Sequence, residues 1–198
     1  MKKFLIIFPL TLFALMANAQ SCPDDNHPHA IDLGLPSGMK WACCNVGATN
    51  FAEPGSKFAW GETEEKENYD FSTYVHCDGH RSDCHKLGAS ICGTEYDVAH
   101  KKWGGNWQMP TEEQLNELRR CKIESVSING VEGFKLTSRN NGMSIFLPGE
   151  KYWSGTQHRQ YGGSAYTLLL KNNSTIPSEI SFAGRNEGLL VRPVWSDK

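Results

Sequence analysis

Trp103-Gly-Gly-Asn-Trp-Gln-Met-Pro-Thr-Glu-Glu-Gln-Leu115 is the stretch on which the reading of this chain turns. Thr111 is followed three positions later by Gln114, the spacing of a capping box in which each side chain satisfies a backbone N–H at the start of a helix. Glu112 and Glu113 fall in the first turn, where the helix dipole favours acids, and Leu115, Leu118 and Cys121 follow at i, i+3 and i+6. Pro110 ends the extended segment before it. Upstream, Thr94 followed by Asp97, with Tyr96, Ala99 and Trp103 near one face and Gly104-Gly105 as a stop, predicts a helix over residues 94–103.

Away from these two segments the apolar runs are short and punctuated by Gly, Pro and Asn. Residues 40–44, 58–60, 135–137, 144–147, 165–170, 180–183 and 189–194 all read as strands. Two short helices among many strands, without strand–helix alternation, predict an α+β fold of short twisted antiparallel strands. No internal repeat is visible.

The chain has 198 residues, 39% hydrophobic and 21% charged, which is ordinary globular composition. Twenty Lys and Arg against twenty-two Asp and Glu give a net charge of -2, so no basic field exists to draw nucleic acid or an anionic membrane. Nucleic acid is not an expected partner. Lys2 and Lys3, the apolar run Phe4 to Leu15 and the small-x-small pattern Ala17-Asn18-Ala19 read as a signal peptide over residues 1–19. No later segment is apolar for long enough to span a bilayer. Residues 20–30 are polar and aperiodic and read as a flexible tether, with the domain over 31–198. The expected location is secreted or cell-surface, with Cys22 as a minority site for a lipid anchor. His27-x-His29 lies in the tether, too few ligands for a stable metal site.

The quoted segment resembles the Trp-x-Leu/Met-Pro-Thr-Glu-x-Glu opening of a helix in formylglycine-generating-enzyme-like and other C-type-lectin-like domains. Around it, Ile31 to Ala48, Phe58-Ala-Trp-Gly-Glu-Thr-Glu64, Gly93 to His100, Asn141 to Pro148, Tyr152-Trp-Ser154 and Val191-Arg-Pro-Val194 resemble blocks of a secreted paralogous-domain family of Fibrobacter and Bacteroides. The resemblance implies an exported C-type-lectin-like domain without established catalytic activity. It also implies a pairing of Cys44 with Cys121, which match the family's strand cysteine and the cysteine closing its main helix.

Seven cysteines follow the leader, an odd number in an oxidising compartment. One thiol stays free, or one pairs between chains, or Cys22 carries lipid. Cys77 and Cys84 enclose a polar turn-forming loop and read as a local disulfide. With His76, His80 and His85 they also form the composition of a zinc site, the weaker reading in an exported chain. Cys43 with Cys92 remains an intramolecular option. A thiol nucleophile would need an electropositive, accessible setting, and no cysteine follows Cys121. Glu64-Glu65 and Glu112-Glu113 are adjacent carboxylates and do not read as a glycosidase pair. Calcium-binding tripeptides of carbohydrate-binding lectins are not evident, and no cofactor is expected. Trp41, Trp60, Trp103, Trp107 and Trp153 read as core. Gln157, His158, Arg159 and Tyr161, with Arg185 and Asn186, are the expected ligand-binding residues, on loops away from the Trp103 to Leu118 segment. A monomeric, non-catalytic module for an extracellular glycan or protein is the expected function, with an extracellular enzyme or a structural surface protein as alternatives.

Overall fold

The computed structural model describes residues 29–172 and 174–197. The signal peptide, Cys22 and His27 lie outside the described residues. In chain order the elements are β1 (Ala30–Asp32), β2 (Lys40–Ala42), α1 (Val98–Trp103), β3 (Trp107–Gln108), α2 (Glu112–Leu118), β4 (Lys122–Ile128) and β5 (Val131–Thr137). They continue with β6 (Ser144–Leu147), β7 (Lys151–Gln157), β8 (Ser164–Leu170), β9 (Ser178–Gly184) and β10 (Val194–Trp195). The strands form three antiparallel sheets, in the orders β1-β2-β10-β3, β4-β5-β6 and β7-β8-β9.

This corrects the expected α+β class. The helices are single pieces of six and seven residues, far shorter than the about 12 residues at which helices begin to hold by themselves, so they form no layer. Small antiparallel sheets make up the frame. They do so because the apolar runs are too short for anything but strands that pair with nearby partners. The tether is also shorter than expected: Ala30 pairs with Ala42, and Cys43 N–H donates to His29 O at 2.9 Å.

The capping box forms as read: Gln114 N–H donates to Thr111 Oγ1 at 3.3 Å and Thr111 N–H to Gln114 Oε1 at 2.8 Å. The other helix starts later than predicted. Asp97, not Thr94, is its N-cap, accepting from Ala99 and His100, while its second oxygen accepts from Gly93 and Met109 at 2.8 Å each. Thr94 instead closes a turn onto Ile91 O.

Four strands escape the periodicity reading. β4, Lys-Ile-Glu-Ser-Val-Ser-Ile, alternates poorly, and its residues are exposed or partly buried, none fully. Its pairing with β5 is nonetheless written in the turn, Asn129-Gly130, whose φ values of 53° and 79° are those of a two-residue hairpin loop. β7 is buried over Tyr152 to Gly155 and so reads as an unalternating run, while β1 and β3 are only three and two residues long.

Trp41, Trp60 and Trp153 are wholly buried and Trp103 and Trp107 nearly so, in agreement with their reading as core. The indole N–H groups of Trp60 and Trp153 donate to Ser154 O and Phe58 O at 2.9 and 2.8 Å. Trp41 Nε1 has no hydrogen-bond partner among the described residues. Two large apolar clusters fill most of the interior, with a small third one around Ala59, Tyr74 and Cys77. One gathers Phe58, Trp60, Trp103, Trp107 and Trp153 with Cys44; the other gathers Trp41, Leu115, Leu118, Phe134 and Leu168 with Cys121. The expected bond between Cys44 and Cys121 is therefore absent, since the two cysteines serve different clusters and Cys121 is a free thiol. Cys92 is a free thiol too, so it does not pair with Cys43.

Candidate functional site: the β7–β8 hairpin

Residues 158–163 join β7 to β8, and local hydrogen bonding shapes the turn. His158 N–H donates to Ser164 O at 3.0 Å and Ser164 N–H to Tyr161 O at 2.9 Å. His158 Nδ1 accepts from the backbone of both Gln160 and Tyr161 at 3.2 Å, which fixes the proton on Nε2. This folds the Tyr161 ring flat onto the imidazole, with centroids 4.8 Å apart and planes 15° apart.

Beneath the pair lie Tyr166 of β8 and Phe182 of β9, opposite one another in the ladder and so on one face. Their rings stand 4.8 and 4.6 Å from His158. Leu168 and Ile180 continue that face and pack in the cluster of α2, but Tyr166 and Phe182 lie beyond the reach of this seven-residue helix. The turn packs on both through the His158 ring. Tyr161 keeps 51% and Phe182 43% of its surface exposed, a cost in water that a purely structural loop does not require.

Two clefts flank the stacked rings. One, of about 610 Å³, is lined by Lys86, Ser90, Thr111, Glu113, Gln157 and Arg159, with His158 as its wall. The other, of about 420 Å³, is lined by Arg81, Ser82, Gln160 and Gly163, with Tyr161 as its wall. Both volumes lie in the range of small-molecule sites.

Four of the expected binding residues, Gln157, His158, Arg159 and Tyr161, thus come together. Their expected separation from the Trp103 to Leu118 segment does not hold: Arg159 reaches Glu112 at 3.4 Å and Glu113 at 3.7 Å in the first turn of α2. Arg185 is likewise not a surface group. It is wholly buried, 4.7 Å over the Trp60 ring, and donates to Tyr74 Oη, His85 O and Gly162 O at 2.9, 2.9 and 3.1 Å. A cation of this size tolerates burial because the rings and carbonyls around it replace water. Asn186 is half-buried and donates to Tyr69 O at 3.2 Å. Arg185 thus supports the hairpin from beneath through Gly162 O, whereas Asn186 is tied to the Tyr69 segment.

The disulfide joins Cys77 to Cys84, as read from the loop they enclose. Its loop forms the far wall of the smaller cleft, where the guanidinium of Arg81 donates to Ser164 Oγ. The three histidines beside it point to separate partners: His76 to Gly61 O, His80 to Ser82 and His85 to Asp78. Among the described residues no group of three or more His, Cys, Asp or Glu is placed to hold a metal ion.

Burial pushes the Cys92 thiol up to about 12 and also raises Cys121, so both stay protonated and weakly nucleophilic at neutral pH. Phe182, Lys86 and Arg81 are among the residues of this site that loop-based reading missed. Phe182 looked like a strand residue whose side chain would be covered. Its alternation with Ile180 was legible, but not the shortness of the helix above it.

No family model, curated protein or solved structure matches the chain. Among the described residues no helix is long and apolar enough to cross a membrane.

Proposed function

We propose that this chain is a secreted or surface-attached, non-catalytic binding module whose ligand, a glycan or a protein, sits on the β7–β8 hairpin. The exposed stack of His158 and Tyr161 over Phe182, with a cleft on either side, carries this reading. Aromatic rings held rigid at a surface offer large contact area at little entropic cost. Export is supported by the leader pattern of residues 1–19, by the Cys77–Cys84 disulfide and by the resemblance of the sequence blocks to a secreted family. A thiol enzyme is disfavoured because desolvation keeps both the half-buried Cys92 and the buried Cys121 protonated.

The test is a glycan and protein array probed with the mature chain, with product analysis of every binder. Saturable binding without turnover is expected, and Tyr161→Ala should lower affinity by about 2 kcal/mol, close to thirtyfold, with the melting temperature kept. Turnover abolished by a single carboxylate or thiol substitution would overturn the reading. N-terminal sequencing of protein from culture medium should begin at Gln20. A chain starting at a lipid-bearing Cys22 would instead assign surface attachment.

A further inference from the structure

Resting on the binding-module reading, we infer that the ligand is an acidic saccharide chain, bearing carboxylate or sulfate groups, that crosses the His158–Tyr161 ridge from one cleft to the other. Three observations converge on this ligand class.

First, the exposed apolar surface is small, being two rings, Tyr161 and Phe182, with centroids 5.7 Å apart and planes 43° apart, and the His158 ring stacked on Tyr161. A protein partner needs a fully buried apolar centre within an interface of roughly 1,000 Å² or more, and this ridge is interrupted by a cleft on each side. A pyranose has the complementary surface. Its C–H face covers one ring, and its hydroxyls lie at the rim, where groups that exchange hydrogen bonds are needed.

Second, the clefts supply those groups on both sides. Ser90, Thr111 and Gln157 border one, and Ser82 and Gln160 border the other. Each cleft is open and the rings form the wall between them, an arrangement suited to a chain running across the ridge. A compact molecule enclosed in a single pocket would leave one cleft unused.

Third, the charge around the ridge opposes that of the molecule. The protein carries a net charge of -2, yet Arg81 and Lys86, one in each cleft, have no carboxylate partner among the described residues. The lining of the Arg81 cleft holds no carboxylate at all. In the other cleft Arg159 is shared between Glu112 and Glu113, which leaves Lys86 as the cation there without a carboxylate partner. The guanidinium of Arg81 is anchored on Ser164, so it is a fixed donor. Planar guanidinium groups match carboxylate and sulfate oxygens well.

The experiment is calorimetric titration of the full mature chain with three defined hexasaccharides: oligogalacturonate, sulfated chondroitin and uncharged maltohexaose. Binding of at least one acidic hexamer is expected, at least tenfold tighter than maltohexaose and weakening as salt is raised. Tyr161→Ala and Arg81→Gln should each lower that affinity at least tenfold without moving the melting temperature, and Lys86→Gln should reduce its salt dependence. Equal binding of the neutral hexamer, no binding of either acidic one, or binding indifferent to Tyr161→Ala overturns the inference. A protein ligand whose affinity is lost in Tyr161→Ala would overturn the saccharide class while leaving the binding-module reading in place.

Discussion

Arg192 donates from Nε to Oδ1 of Asn45 at 2.7 Å, and the pair is wholly buried although 147 residues separate its members. The same guanidinium donates to Ala42 O at 2.8 Å and to Phe146 O at 2.7 Å, joining the β2 sheet to the β6 sheet. Asn45 in turn donates to Pro54 O at 2.7 Å. The role of both residues is to close the interior. Lysine cannot present donors in this fan, so Arg192→Lys leaves at least one buried oxygen unpaired. The expected cost is about 2 kcal/mol or more, measured by denaturant unfolding with an unchanged slope.

Trp107 packs edge-on against Trp103 and Trp195, with centroids 5.2 and 5.3 Å away, and is buried. Trp107→Ala should destabilise the fold by about 3 to 5 kcal/mol, because the neighbouring rings are too rigid to collapse into the space. Its thermal melt should shift down sharply, in contrast to Tyr161→Ala. Equal melting temperatures for the two variants would sink the distinction between core and site drawn here.

His158 couples the hairpin to pH. Burial holds its imidazole below the usual value; Glu112 nearby pulls it upward and Arg81 downward. The unfolded ring therefore takes up its proton first, so the stability this residue contributes is present in full above about pH 6.5 and is lost as pH falls below that. Protonation also puts a hydrogen on Nδ1, which then cannot accept from Gln160 and Tyr161. Amide protection at Gln160 and Tyr161, corrected for the slower intrinsic exchange in acid, should fall relative to that in the β8–β9 ladder on acidification from pH 7.5 to 5.5. His158→Asn, which retains a side-chain acceptor oxygen, should remove the pH dependence.

The disulfide should matter to both fold and site. Replacing Cys77 and Cys84 by Ser opens a loop of sequence separation 7, which chain-entropy models value at about 2 to 3 kcal/mol. Arg185 links this loop to the hairpin through His85 O and Gly162 O, so loosening the loop removes support from Tyr161. Ligand affinity should fall in the double Ser variant at a temperature where it remains folded. Preserved affinity there would separate the loop from the site.

Replacement of Thr111 by Ala tests the most legible feature of the sequence. Loss of the cap should cost about 1 kcal/mol and fray α2 at the end that receives Arg159. The check is a denaturation curve paired with the ligand titration, in which the stability loss should be accompanied by a smaller loss of affinity.

The sequence alone determined what depends on near neighbours. The cap at Thr111 and Gln114, the Cys77–Cys84 loop and most strand cores could be read because each rests on contacts within about ten residues. The Asn129-Gly130 turn belongs to the same class, and β4 was legible there even though its own alternation is weak. Tertiary structure decided whatever depends on distant packing. Arg185 sits between two strand ends among polar residues and reads as surface, yet Trp60 and Tyr74, more than a hundred residues earlier, enclose it. Cys44 and Cys121 look like partners until the chain assigns them to separate clusters. Phe182 alternates like a covered strand residue and is exposed because α2 is too short to reach it. Local hydrogen bonds carry their signature along the chain, whereas burial is a property of what the rest of the chain brings alongside.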